Sequence, residues 1–185
     1  MPRRKAKDIP DGWRNYSNIG KVVPYTRFVP FKVPLKEHVC NNHGIEFSPN
    51  NLLQYQPRIK LIIDVTNTDY GRYYDPEDFT KRGVRVEKIM CPGGPTNVPS
   101  ASLVEKFFHV VDEFLNDPQA NQNSLIGVHC THRLNRTGYF ICKYMISKLG
   151  IQPELAISSF QTARGHPIER KLIIENILQT SYIQN

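Results

Sequence analysis

Short apolar runs constrain this fold more than any other feature. Lys60–Val65 (KLIIDV) and Ser124–His129 (SLIGVH) are apolar without strict alternation and too short for core helices, the pattern of strands buried on both faces. Val84–Met90 is a third, more amphipathic run, and Arg27–Val33, bracketed by Pro24, Pro30 and Pro34, predicts an edge or irregular strand. Between them the period changes. Ser48-Pro49 starts a short helix, and Pro99–Leu115 places Leu103, Val104, Phe107, Val110, Val111 and Phe114 on one helical face, with Ser102 and Glu105 predicting a capping box. Thr137–Leu149 is helical through Phe140, Ile141, Tyr144 and Met145 and stops at Gly150. Pro153 opens a further helix ending near Gly165, and Glu169–Leu178 reads as the last. Strands alternating with helices early, and helices clustering late, predict an α/β fold: a short, largely parallel twisted sheet flanked by helices.

At 185 residues the chain is long enough for one domain with a real core, and residues 13–185 are read as that unit behind a basic tail, 1–12. The net charge is +7, but Arg3, Arg4, Lys5 and Lys7 supply +4 of it before the first acid, Asp8. Charge alone is therefore weak grounds for nucleic-acid binding. No apolar run approaches the roughly 18 residues that span a bilayer, so an intracellular protein without a membrane partner is expected. Cys40, Cys91, Cys130 and Cys142 form no C-x-x-C pair, which favours free thiols over a disulfide framework or a zinc site. His38, Cys40 and His43 lie close together but lack a matching second half, and no metal is expected there.

The chemistry concentrates between a strand and a helix, in His129-Cys130-Thr131-His132-Arg133-Leu134-Asn135-Arg136-Thr137-Gly138. A loop leaving a strand and entering a helix gathers backbone N–H groups around one point with the positive end of the helix dipole behind them, which suits a tetrahedral anion. Cys130 would have its thiolate stabilised by the same field, and Arg136 returns a planar fork to the far side of the anion. The competing reading is a buried structural cysteine beside a helix cap.

This decapeptide resembles the signature of the cysteine-dependent protein tyrosine and dual-specificity phosphatase superfamily. Ile62-Ile63-Asp64-Val65-Thr66-Asn67-Thr68 with Tyr73-Tyr74-Asp75, and Ala163-Arg164-Gly165-His166 with Ile168-Glu169-Arg170, are similar to its RNA 5′-triphosphatase branch. That branch holds metazoan capping-enzyme triphosphatase domains, the baculovirus phosphatase and the RNA/RNP-complex-interacting phosphatases. Trp13–Leu35, with Phe31-Lys32-Val33-Pro34-Leu35, is most similar to the last group. The resemblance implies a cysteine-phosphatase fold and a covalent mechanism. Cys130 attacks the terminal phosphorus, Arg136 binds the equatorial oxygens, His129 helps hold the thiolate, and Thr137 places a hydroxyl near the sulfur. Thr131, His132, Arg133, Leu134 and Asn135 would cradle the phosphate. It implies no metal or cofactor, a monomer, a 5′-triphosphorylated RNA partner, possible association with RNA-processing ribonucleoproteins, and a nuclear or cytoplasmic location with the nucleus favoured. Arg133 departs from the family's usual glycine, and a positive φ there would cost an arginine about 1 kcal/mol.

Ester-cleaving members carry an acid about thirty residues before the cysteine. Here Met90-Cys91-Pro92-Gly93-Gly94-Pro95-Thr96-Asn97 has no carboxylate. A diphosphate leaves without protonation, so the gap favours an anhydride substrate over an ester. Asp64 and Asp69 are candidate auxiliary acids from another loop, although Asp64 also reads as a strand-end residue bonding nearby amides. A reader of three phosphates needs further cations, for which Arg170, Arg164, His166 and Lys171 are candidates. Lys81, Arg82, Arg85 and Lys88 form a basic cluster suited to an RNA strand or a sheet edge, and Tyr73 and Tyr74 suit base stacking or packing. The expected function is removal of the γ-phosphate from RNA 5′ ends, with onward removal of the β-phosphate left open by the sequence. A phosphoprotein or phosphoinositide phosphatase and a weakly catalytic phospho-RNA-end binder remain alternatives.

Overall fold

The computed structural model describes residues 8–119, 121–131 and 134–181. Strands β1 (Phe28–Lys32), β2 (Ile59–Asp64), β3 (Arg85–Lys88) and β4 (Leu125–Cys130) pair in parallel in the order β1-β4-β2-β3. β1 lies at an edge, where Pro30, lacking an N–H, does not interrupt a second ladder. The helices are α1 (Glu37–His43), α2 (Pro49–Tyr55), α3 (Glu77–Thr80), α4 (Ala101–Asn116), α5 (Asn135–Leu149), α6 (Pro153–Arg164) and α7 (Lys171–Leu178). No described helix is long and apolar enough to cross a membrane.

Strand alternation sorts the core into two layers. Leu61, Ile63, Ile126, Val128 and Cys130 face Phe107 of α4 and Phe140 of α5, while Val29, Phe31, Ile62 and Leu125 face Trp13, Phe47 and Phe79. Alternation also parts two neighbours at the end of β4: Cys130 joins the helical layer, and the His129 ring lies against Phe31 and Tyr74 on the opposite face.

Local signals account for several element ends. Ser48 caps α2 with Asn51 in a reciprocal capping box, and Gly150 ends α5 at φ 66°, a left-handed geometry that glycine adopts without strain. The capping box expected from Ser102 and Glu105 is absent. α4 begins at Ala101 with Ser100 as its N-cap, so Ser102 sits inside the first turn and its hydroxyl meets that of Ser100 at 3.0 Å. α1 and α3 carried no sequence expectation; both are short.

Register then assembles the site. Lys32 stands beside Cys130, His129 beside Asp64, and Asp64 beside Lys88, all at the carboxyl ends of the strands, where open α/β sheets bind their ligands.

Candidate active site

Thr131 follows β4, and Leu134 precedes α5 as its N-cap. The contacts expected of His132 and Arg133 lie outside the described residues. Leu134, the N-cap of α5, has φ 58°, a left-handed conformation costing a non-glycine residue about 1 kcal/mol; such strain gathers at functional loops. Its side chain is buried in the core and is not offered to a substrate. The loop opens on a pocket of about 230 Å³ lined by Cys130, Thr131, Asn135, Arg136, Arg170, Gly93, Gly94 and Asp11.

Two arginines frame this pocket, and both dock on the segment following β3. Arg136 donates through Nη1 to Cys91 O at 2.7 Å and through Nη2 to Thr131 Oγ1 at 3.3 Å. Arg170 donates through Nη1 to Gly94 O at 2.6 Å. Asn135 sets the position of Arg170: its Oδ1 accepts from the backbone N–H groups of Glu169 and Arg170, each at 2.9 Å. Asn135 lines the pocket, but its carbonyl is committed to this clamp rather than to a substrate. Thr137 Oγ1 is buried without a hydrogen-bond partner among the described residues, an exception of the kind found at catalytic loops.

Behind the loop lies a buried polar network. His129 is fully buried, with Nε2 2.9 Å from Tyr74 Oη and Nδ1 3.4 Å from Cys130 O. Burial pushes its imidazole below the ordinary value, against the opposing pull of Asp64. Asp64 accepts from Lys88 Nζ at 2.9 Å and from Thr66 N–H at 2.8 Å, and Oδ1 lies 4.0 Å from His129 Nε2. Burial opposes ionisation of its carboxyl, but His129, Lys88 and the Thr66 amide outweigh that and hold it below the usual range.

These contacts correct several expectations. Asp64 is an ionised structural anion, as its strand-end reading had it, and has no proton to donate as an auxiliary acid. Asp69 lines a separate small cleft with Asp64 and Tyr73, away from the pocket of Cys130. Tyr74 is buried on His129 and cannot stack a base. Arg164 is not a phosphate reader: it is buried, gives both terminal nitrogens to Ser17, at 2.6 Å to Oγ and 2.7 Å to O, and is pushed down to about 10 by burial. The basic cluster is dispersed. Lys88 points inward to Asp64, Arg85 pairs with Glu87 and Glu113, and Lys81 pairs with Glu77. The sequence reading missed Asp11, the Asn135 clamp and the Lys88 pairing. For the last, in-register acid and base on adjacent strands was the available signal.

Residues 48–181 match the family described as dual specificity phosphatase, catalytic domain. An RNA/RNP complex-1-interacting phosphatase homolog of Caenorhabditis elegans is 43% identical over 177 residues, covering 91% of this chain and 74% of that protein. The human RNA/RNP complex-1-interacting phosphatase is 41% identical over 95% of this chain, which spans about half (53%) of the human protein. A tyrosine-protein phosphatase of Autographa californica nuclear polyhedrosis virus is 37% identical over 92% of this chain and 99% of its own. Among solved structures, a protein tyrosine phosphatase from Leishmania major superposes with a TM-score of 0.64 at 16% identity, covering 89% of this chain and 99% of that one, a likeness of fold. With the cysteine, arginine and strand-loop-helix cradle in place, the chain belongs to the dual-specificity phosphatase catalytic-domain family.

Proposed function

We propose that this phosphatase acts on 5′-triphosphorylated RNA. The observation that carries the reading is Arg170, a second guanidinium in the same pocket as Cys130 and Arg136, held by the Asn135 clamp and the Gly94 carbonyl. One phosphate fits the loop and Arg136, and a second cation suits a phosphate chain. An adjoining groove shares Arg170 and continues over Lys171, Leu172, Glu175 and Pro95, with Lys171 paired to Glu175 at 3.5 Å, a path for the first nucleotide. The names of the nematode and human relatives, which pair phosphatase with RNA, support the same reading.

In this mechanism Cys130 Sγ attacks the γ-phosphorus in line. The S–P bond forms as the P–O bond to the β-phosphate breaks, and diphosphate RNA leaves without protonation. Arg136 stabilises the equatorial oxygens as charge develops on them. Water then attacks the cysteinyl phosphate, the S–P bond breaks, and phosphate departs.

RNA labelled in the γ- or β-phosphate, assayed beside a phosphotyrosine peptide, tests the assignment. Arg170→Ala should lose the charge-assisted contact and lower kcat/KM on triphosphate RNA about 10- to 150-fold, with a small aryl phosphate little affected. Preference of the wild type for the peptide, with Arg170→Ala weakening both substrates equally, would replace the RNA reading with a phosphoprotein one.

A further inference from the structure

Among the described residues lining the pocket there is one carboxylate, and it comes from neither Asp64 nor the segment after β3. Asp11 reaches the pocket of Cys130 and Arg136 from the stretch preceding β1. That stretch is fixed at many points. The Trp13 ring is buried near Phe47 and donates from Nε1 to Val33 O at 2.8 Å, and Trp13 N–H closes back on Pro10 O at 3.1 Å. Buried Lys32 donates to the carbonyls of Trp13 at 3.1 Å and Tyr16 at 2.8 Å, with its ammonium 3.4 Å from the Trp13 ring centroid. Lys32 is also the register partner of Cys130. The backbone carrying Asp11 is therefore indexed to the strand carrying the nucleophile, and Ser17 and Tyr16 tie it further to Arg164 and Glu169.

We propose that Asp11 is the general base of the second step. The proposal rests on the covalent mechanism above, in which the first step needs no acid but the second begins with neutral water. Asp11 accepts a proton from that water as its oxygen bonds to phosphorus. The S–P bond breaks, its electron pair returns to Cys130 Sγ, and the proton is then lost to solvent with the departing phosphate. Other bases are badly placed for this. His129 lies on the far face of the sheet against Tyr74, and Asp64 is committed to Lys88 beneath the loop. Arg136 and Arg170 carry no acceptor and offset the cost of a carboxylate beside a phosphate.

Rapid-quench kinetics with γ-labelled triphosphate RNA, and in parallel with a fluorogenic aryl phosphate, separates the two steps. Asp11→Asn should turn a linear time course into a burst approaching one diphosphate RNA, or one aryl alcohol, per enzyme. Label should accumulate on the protein while the steady-state rate falls about 100-fold or more. Asp11→Glu should restore part of that rate and diminish the burst. An unchanged rate, or slowing without a burst or labelled protein on either substrate, would overturn the proposal. If RNA is inert with wild-type protein, the RNA reading fails, and the aryl phosphate burst still decides for or against Asp11.

Discussion

Replacing Lys88 with methionine tests whether the ion pair beneath the phosphate loop holds the strand ends together. The pair is enclosed, with side-chain exposures of 4% for Lys88 and 12% for Asp64, and the ammonium also donates to Thr66 Oγ1 at 2.5 Å. Lys88 is the nearest cation to Asp64, at 2.9 Å, and the His129 ring nitrogen stands farther off at 4.0 Å. Lys88→Met leaves a buried carboxylate with the Thr66 N–H as its nearest donor, and orphaning one partner of such a pair costs about 3–5 kcal/mol. In a domain of this size each kcal/mol lowers Tm by roughly 2–4 °C, so a fall on the order of 10 °C is expected at pH 7. The pH dependence follows from the depressed carboxyl of Asp64. Its contribution is present above the ordinary carboxyl pKa and is lost as pH falls through the lower folded value, so the gap between wild type and Lys88→Met should narrow in acid. Calorimetry at neutral and acidic pH, with Asp64→Asn/Lys88→Met alongside, measures this. A single variant within 1 kcal/mol of wild type at pH 7, or a double variant no more stable than the single, would refute the reasoning.

Two further perturbations address the loop itself. Cys130→Ser should lower turnover roughly a thousandfold or more while phosphate still binds, because the cradle and Arg136 remain; near-wild-type turnover in the purified variant would exclude a cysteinyl intermediate. Gly138→Ala would set a Cβ 2.7 Å from Phe160 Cε1 and 2.9 Å from Ile168 Cδ1. Crowding of this kind costs about 1–3 kcal/mol, only partly offset by the roughly 1 kcal/mol that alanine gains over glycine in a helix. Pressure on Ile168 should also disturb neighbouring Arg170 and raise KM for triphosphate RNA more than for an aryl phosphate. Urea unfolding that finds the variant more stable than wild type would contradict the packing account.

The central strands were legible because burial on both faces writes itself into sequence as an apolar run, and the loop because nucleophile, arginine and helix start are contiguous. Side-chain direction was less legible. Lys81, Arg82, Arg85 and Lys88 read as one basic cluster, yet β3 turns Arg85 toward Glu87 and Glu113 and Lys88 under the sheet toward Asp64. Sequence proximity carries charge but not the register that decides which charge is buried, and that register is set by β2. Asp11 was hidden for the same reason on a larger scale: its place at the pocket depends on the Trp13, Lys32 and Ser17 contacts, each made between segments distant in sequence.

The contrast between Arg164 and Arg170 is one of availability to a phosphate, the role proposed for Arg170. Both lie close in sequence and both were candidates. Arg164 ends α6 facing inward, and with its terminal nitrogens on Ser17 any turn toward a substrate would leave the Ser17 groups unpaired and open the buried face. Its fork holds the segment that brings Asp11 to the pocket. Arg170 precedes α7, where the Asn135 clamp fixes its backbone but leaves the guanidinium on a carbonyl of Gly94 at the pocket wall. That neutral acceptor is a weaker partner for a guanidinium than a phosphate oxygen, so exchange of one for the other on substrate binding is favourable. The same substrate contact would free the Gly94 segment, the stretch in which ester-cleaving relatives of this family carry their acid and which here carries none. On the proposed function, selection for a phosphate chain would fall to Arg170 and proton handling in hydrolysis to Asp11, residues from opposite ends of the described chain that line one pocket.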